Sequence, residues 1–127
     1  MLVNLAALVE IATGLLLLVH PSALAWLLFG TDLTSSQAAL ALGRLAGCAL
    51  LSLGWACWPR HSAAGTSGLS ALLIYNVLVT ILLAYLGRVE GLEGILLWPA
   101  VALHVVLATL LARRCLKHAE REPKTPS

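Results

Sequence analysis

Four long apolar runs, separated by short polar segments, dominate the order of residues along the chain. The runs are Leu2 to Val19, Ala38 to Trp58, Gly68 to Leu86 and Ile95 to Ala112. Each would form roughly 27 to 32 Å of helix, enough to cross a hydrocarbon core of about 30 Å. A membrane β-barrel would instead need many alternating segments of about ten residues. The pattern therefore predicts an all-α fold, a bundle of four transmembrane helices.

A shorter apolar stretch, Ala23 to Gly30, lies between the first two runs. Pro21 precedes it at a position that suits the first turn of a helix, and Trp26 suits the headgroup zone of a bilayer. We expect a short interfacial or re-entrant helix here. The chain then divides into a transmembrane domain at 1–112 and a basic tail at 113–127, and we expect the first part of this tail to be a frayed extension of the last helix.

Composition and charge support a membrane protein and exclude a nucleic-acid partner. The 127 residues are 60% hydrophobic and 11% charged, which is far from the composition of a soluble domain. The net charge is +2, and the basic residues collect near the end of the chain rather than on a folded face.

With four spans, both termini and the middle loop share one side. That side carries Arg60, Arg113, Arg114, Lys117, Arg121 and Lys124, whereas the other side carries Arg88. The positive-inside rule then predicts cytoplasmic termini and insertion in a plasma (inner) membrane.

One polar residue in each span is costly to bury in lipid: Glu10, Arg44, Asn76 and His104. A charge at the bilayer centre costs about 2.5 to 3.5 kcal/mol on insertion scales, so such residues usually face the bundle interior. Helical rise places Glu10, Asn76 and His104 about 12 to 13 Å from the ends of their spans, near the midplane. Arg44 begins nearer the outer end, but its long side chain can reach downward. We therefore expect Glu10 to be its partner.

Two interpretations of this intramembrane polar cluster stay open. In the functional one, Glu10 and His104 titrate and Arg44 holds an anionic group. In the structural one, a buried Glu10–Arg44 pair, with Asn76 and His104 bonding neighbouring helices, fixes how the bundle packs. The structural interpretation is the one that we favour, because polar groups commonly hold membrane helices together.

Small residues in the second span predict close helix packing. Gly43 and Gly47 form a GxxxG element, and Gly54 continues a similar face. We expect packing within the chain in preference to a homodimer seam, because four spans offer internal partners first. In the first span, Glu10 and Gly14 share a face at i, i+4, which suits interior packing.

Pro99, early in the fourth span, should remove a hydrogen bond to the Ile95 carbonyl and kink the helix.

We expect no cofactor and no metal. His20 at the outer boundary and His61 in a loop offer no second haem ligand at the depth of His104. No paired cysteines or aspartates accompany them, and no catalytic arrangement or phosphate loop is visible. We therefore expect a protein that is not an enzyme.

Glu10, Gly14, Pro21, Gly30, Arg44, Gly47 and Gly54 follow one another at characteristic spacings. This half of the chain resembles the DoxX-like group of small four-helix membrane proteins. Some members are associated with sulfur and quinone redox complexes, so the resemblance implies a quinone-contacting subunit as one role. Cys48 and Cys57, nine residues apart on one helix, are too distant to act as a redox pair.

The sequence favours a non-catalytic accessory or scaffolding subunit, or a binder of a lipid-like molecule. The alternative is a small proton-coupled carrier or quinone-contacting subunit that uses the polar cluster. The expected partners are the lipid bilayer and other membrane subunits or a second copy of the chain.

Overall fold

The computed structural model describes residues 2–58 and 65–119, and these form five helices with no strand among them. The helices are α1 Leu2–Val19, α2 Pro21–Phe29, α3 Gln37–Ala56, α4 Gly65–Arg88 and α5 Leu97–Ala119. All but α2 are long and apolar enough to cross a membrane. The prediction of an all-helical bundle with four spans in an integral membrane protein is confirmed, and the first span has the predicted bounds.

The short helix α2 begins and ends with the residues that such a helix requires. Pro21 occupies its first turn, where a missing N–H costs no hydrogen bond. Gly30 ends it with φ of 69°, and its N–H donates to the Trp26 carbonyl. With nine residues, α2 is too short to span a bilayer.

Helices α1 and α3 pack tightly because glycines bring their backbones together. A Cβ on Gly14 would lie 2.8 Å from the Gly47 carbonyl oxygen, and one on Gly47 would lie 2.8 Å from the Gly14 oxygen. At the next crossing, a Cβ on Gly54 would lie 2.8 Å from the Ala7 carbonyl oxygen. Gly43 faces Pro21 of α2 in the same way. In this structure the glycine stripe of α3 packs against α1 and α2 of its own chain.

The second tight pair is α4 with α5, and a buried cluster joins the two pairs at one end of the bundle. The buried cluster there comprises Ala6, Ala7, Cys57, Leu69, Leu72, Leu107 and Leu111. Leu2, Val3 and Cys115 pack against it. The beginning of α1 and the last turns of α5 therefore lie at the same end, which we call the terminal end. The opposite end, at α2, is the α2 end.

The segment 89–96 between α4 and α5 binds to α2. The Leu96 N–H donates to the Leu27 carbonyl over 2.8 Å. Gly94 lies directly against the Leu28 carbonyl, so close that a Cβ there would overlap it. The α2 end is thus covered by α2 and this connection together.

One detail of the predicted fourth span requires correction. Helix α5 begins at Leu97, so Pro99 lies in its first turn, where its missing N–H removes no helical hydrogen bond. The expected kink is therefore wrong. The helix continues past Ala112 to Ala119, so the first part of the basic tail extends α5, as expected. Arg60 and His61 of the middle loop, and the end of the basic tail at 120–127, lie outside the described residues.

Candidate functional site

Glu10 is fully buried near the middle of α1, with 0% of its surface exposed. Neither carboxyl oxygen makes a hydrogen bond of ordinary geometry, but the Tyr75 hydroxyl lies within reach of the carboxyl. On the helix, Glu10 shares a face with Thr13 and Leu17 at i, i+3 and i+7, and Tyr75 of α4 lies close to its carboxyl. A buried polar group without a partner is costly, so its retention calls for an explanation.

Arg44 does not supply that partner, and the predicted Glu10–Arg44 pair is wrong. The α3 face that meets α1 carries Gly47 and Gly54, and Arg44 lies about 60° around the helix from Gly47, at the edge of that face. Its side chain is exposed. The Arg44 backbone lies about 10 Å along α3 from Gln37, close enough to the α2 end for the long side chain to extend toward the headgroups.

Asn76 and His104 form a buried hydrogen bond between α4 and α5. Asn76 Oδ1 lies 2.8 Å from His104 Nδ1, and the two residues are 0% and 9% exposed. The Asn76 amide is oriented by a second bond, in which Nδ2 donates to the Leu72 carbonyl over 2.8 Å. Because an amide oxygen accepts only, His104 Nδ1 must carry the proton. In the uncharged ring, Nε2 is then an acceptor.

Tyr75 joins the cluster, although sequence reasoning missed it. Its ring meets the His104 ring edge-on, with centroids 6.1 Å apart. Its hydroxyl lies within hydrogen-bonding reach of the Glu10 carboxyl, although the two groups do not have ordinary hydrogen-bond geometry. The available signal was a tyrosine near the middle of a span, because tyrosines of membrane proteins concentrate at the interfaces. Tyr75 links Glu10 on α1 to His104 on α5.

A cavity of about 460 Å³ lies above this cluster, toward the α2 end. Helices α2 and α3 line one side, α4 lines the other, and Thr13 and Leu17 of α1 close the back. Tyr75 and His104 form its floor, and the remaining lining is almost entirely apolar. Helices α3 and α4 scarcely touch each other among the described residues, so the cavity opens between them.

Other candidate chemistry is sparse in the described part of the chain. No three His, Cys, Asp or Glu side chains of those residues converge as metal ligands would. Cys48, Cys57 and Cys115 are free thiols. The buried Cys57 Sγ donates to the Gly68 carbonyl over 3.5 Å, which joins the end of α3 to the start of α4. This contact is structural, since it lies at the terminal end, away from the cavity.

Comparisons with protein-family models, with characterised proteins and with solved structures found no match. The DoxX-like resemblance therefore stays a prediction, and the proposals below rest on the geometry of this chain.

Proposed function

We propose that the protein is a non-catalytic membrane protein that binds a lipid-like molecule between its helices. The observation that carries this proposal is the cavity between α3 and α4. Its volume of about 460 Å³ lies within the range of roughly 300 to 1,000 Å³ that holds small ligands. A membrane-embedded opening admits molecules that are already dissolved in the bilayer.

The lining favours an amphiphile over a polar solute. Small and aliphatic side chains such as Ala46 and Leu82 form the walls, whereas Tyr75 and His104 are confined to the floor. An apolar body would be placed against the walls and a polar end against the floor, as expected for a site with few oriented polar groups. Along α4, Tyr75 and Leu83 both line the cavity, which gives it a depth of about 12 Å.

Filling the cavity should remove the bound molecule. Ala46 lines the cavity, and Ala46→Phe would occupy part of it. The control is Ala41→Phe on the same helix, because Ala41 is exposed outside the cavity. Both variants and the parent protein would be extracted with surrounding lipid, purified and analysed by mass spectrometry for co-purifying lipids. We expect a ligand with the parent and Ala41→Phe proteins that is depleted from Ala46→Phe. Equal retention by all three would contradict the proposal.

A second candidate function, a small proton-coupled carrier, is favoured by ionisable groups at the cavity floor and buried behind it. Glu10, Tyr75 and His104 lie together at one level, in a part of the bundle where such groups usually serve function. Transport by reconstituted vesicles driven by a pH gradient, and abolished by Glu10→Gln, would support a carrier. A quinone-contacting role has support from the DoxX-like resemblance alone.

The orientation in the membrane is also a proposal. Arg113, Arg114 and Lys117 are exposed on the last turns of α5 at the terminal end. At the α2 end, Arg88 lies over the Trp98 ring, 5.2 Å from its centroid. The positive-inside rule then favours cytoplasmic termini in a plasma membrane. A reporter fused after Ser127 that is active outside the cytoplasm would contradict it.

An accessory role with other membrane subunits, or a homodimer, is compatible with ligand binding. The glycines that would favour a seam between copies are occupied by α1 and α2 of the same chain. This favours a monomer or a complex with other subunits. Mass measurement of the protein extracted with native lipid would distinguish these states.

A further inference from the structure

His104 offers the cavity a nitrogen whose hydrogen-bonding role is fixed by the fold. The ring lies at the cavity floor and is 9% exposed. Its Nδ1 is bonded to Asn76 Oδ1 over 2.8 Å. Nε2 has no bonding partner in the described part of the chain, and it is not among the side-chain atoms that are sealed without one. The unbonded edge of the ring therefore opens to the cavity.

The Asn76 amide determines which nitrogen of His104 carries the proton. Asn76 Nδ2 donates to the Leu72 carbonyl, so the atom that faces His104 is Oδ1, which only accepts. The proton is therefore held on Nδ1, and Nε2 of the uncharged ring only accepts. A charged ring would place a second N–H at Nε2 without an acceptor, and no carboxylate of the described residues bonds the ring. The surroundings thus favour the uncharged ring.

The other polar groups of the lining do not select between donors and acceptors. They are the hydroxyls of Thr13 and Tyr75, each of which both donates and accepts. No lysine, arginine, aspartate or glutamate among the described residues lines the cavity, and Glu10 lies behind Tyr75. An ionic group of either sign would therefore be buried at the floor without a counter-charge, which is costly. The group that fits is uncharged and donates a hydrogen bond to Nε2.

We propose that the cavity selects an apolar molecule that carries an uncharged hydroxyl, and that His104 Nε2 accepts the hydrogen bond from this hydroxyl. The apolar body of the molecule extends along the aliphatic walls toward α2. An ether, ketone or ester of the same size fits the walls but leaves Nε2 without a donor. This inference rests on the proposed function, since it requires the cavity to hold such a molecule.

Undecanol and decyl methyl ether test the proposal, because they are isomers with chains of the same length. The oxygen of the alcohol donates and accepts, whereas the oxygen of the ether only accepts. Binding of each to the full chain in nanodiscs would be measured by equilibrium dialysis, relative to protein-free nanodiscs of the same lipid. We expect the alcohol to bind about three- to tenfold more tightly than the ether, as one hydrogen bond between uncharged groups provides.

His104→Asn should abolish this preference. The asparagine amide can still donate to Asn76 from about the position of Nδ1, but it places no acceptor at the position of Nε2. The affinity for undecanol should therefore fall to that for the ether, and the affinity for the ether should stay unchanged. The matched control, His20→Asn, makes the same substitution at an exposed histidine outside the cavity. It should retain the preference of the parent protein.

Nitrogen NMR of the parent protein, with isotope-labelled histidine, gives a readout that does not depend on how the variant folds. His104 should show a protonated Nδ1 and an unprotonated Nε2, and undecanol but not the ether should shift the Nε2 resonance. The exposed His20 should respond to neither compound.

Four results would overturn the hydroxyl inference and leave the proposed function standing. They are a protonated Nε2, an Nε2 resonance that undecanol does not shift, an ether that binds as tightly as the alcohol, and an alcohol preference that persists in His104→Asn. Binding of neither compound above protein-free nanodiscs would overturn both the inference and the proposed function.

Discussion

The hydrogen bond between Asn76 and His104 should make a measurable contribution to the packing of α4 against α5. The test is a double-mutant cycle with Asn76→Ala, His104→Ala and the double variant. Hydrogen bonds between membrane helices contribute about 0.6 kcal/mol on average and about 1.7 kcal/mol at most. This bond is 2.8 Å long, both partners are buried, and the Asn76 amide is already oriented by Leu72. We therefore expect a coupling free energy of about 1 to 1.7 kcal/mol, in the upper part of that range.

The free energy of unfolding would be measured by reversible denaturation in bicelles, followed by circular dichroism. Thr109→Val provides the control, because the Thr109 hydroxyl donates to the Val105 carbonyl within α5 and does not contact α4. Its cycle with Asn76→Ala should give a coupling within about 0.3 to 0.5 kcal/mol of zero. A similarly small value for the Asn76–His104 cycle would refute the argument, since the bond would then contribute nothing beyond the separate residues.

Three further predictions concern other parts of the molecule. Gly94→Ala should lower the unfolding free energy by about 1 to 3 kcal/mol or more, because the added Cβ would overlap the Leu28 carbonyl. An unchanged thermal melt would contradict the binding of the segment 89–96 to α2. The changes in the free energy of unfolding caused by Glu10→Gln and Arg44→Gln should be additive within about 0.5 kcal/mol, because the two residues are not paired. A larger coupling free energy would show that they do form a pair. Two hydrogen bonds from Thr34 lower the pKa of Asp32 below its ordinary value. The stabilisation that this turn provides is therefore lost as the pH falls through the pKa of Asp32 in the folded protein. Thr34→Ala should raise that pKa in a carboxyl-carbon NMR titration.

The four spans were predictable because membrane insertion imposes length and hydrophobicity on each segment separately. Leu2–Val19 was predicted at its exact bounds as the structure has them. The extension of α5 into the basic tail was also expected, because nothing between Arg113 and Ala119 interrupts a helix. The role of Pro99 was misjudged. Hydropathy placed the span's start at Ile95, whereas the segment that binds α2 delays the helix until Leu97.

The depths of the site residues followed from helical rise, but their partners did not. Glu10, Asn76 and His104 lie at similar depths, yet depth says nothing about which face of a helix meets which neighbour. Arg44 illustrates this limit, because its depth allowed a pair with Glu10, whereas its side chain is exposed and does not bond the Glu10 oxygens. Tyr75 was missed because a search for costly residues passes over a side chain that is mostly apolar.

The small residues of α3 explain why four short helices leave a cavity at all. Gly47 and Gly54 let α3 approach α1 so closely that their backbones touch, and this fixes α3 on the α1 side of the bundle. On the adjacent face, Ala39, Gly43 and Ala46 line the cavity, and none of them is long enough to reach α4. Gly43 serves both faces, because it contacts Pro21 of α2 and also lines the cavity. Larger residues along this stripe would either separate α1 from α3 or fill the gap. The packing that holds the bundle together and the space offered to a ligand thus depend on the same feature of the sequence, and a scaffolding role and a binding role do not exclude each other.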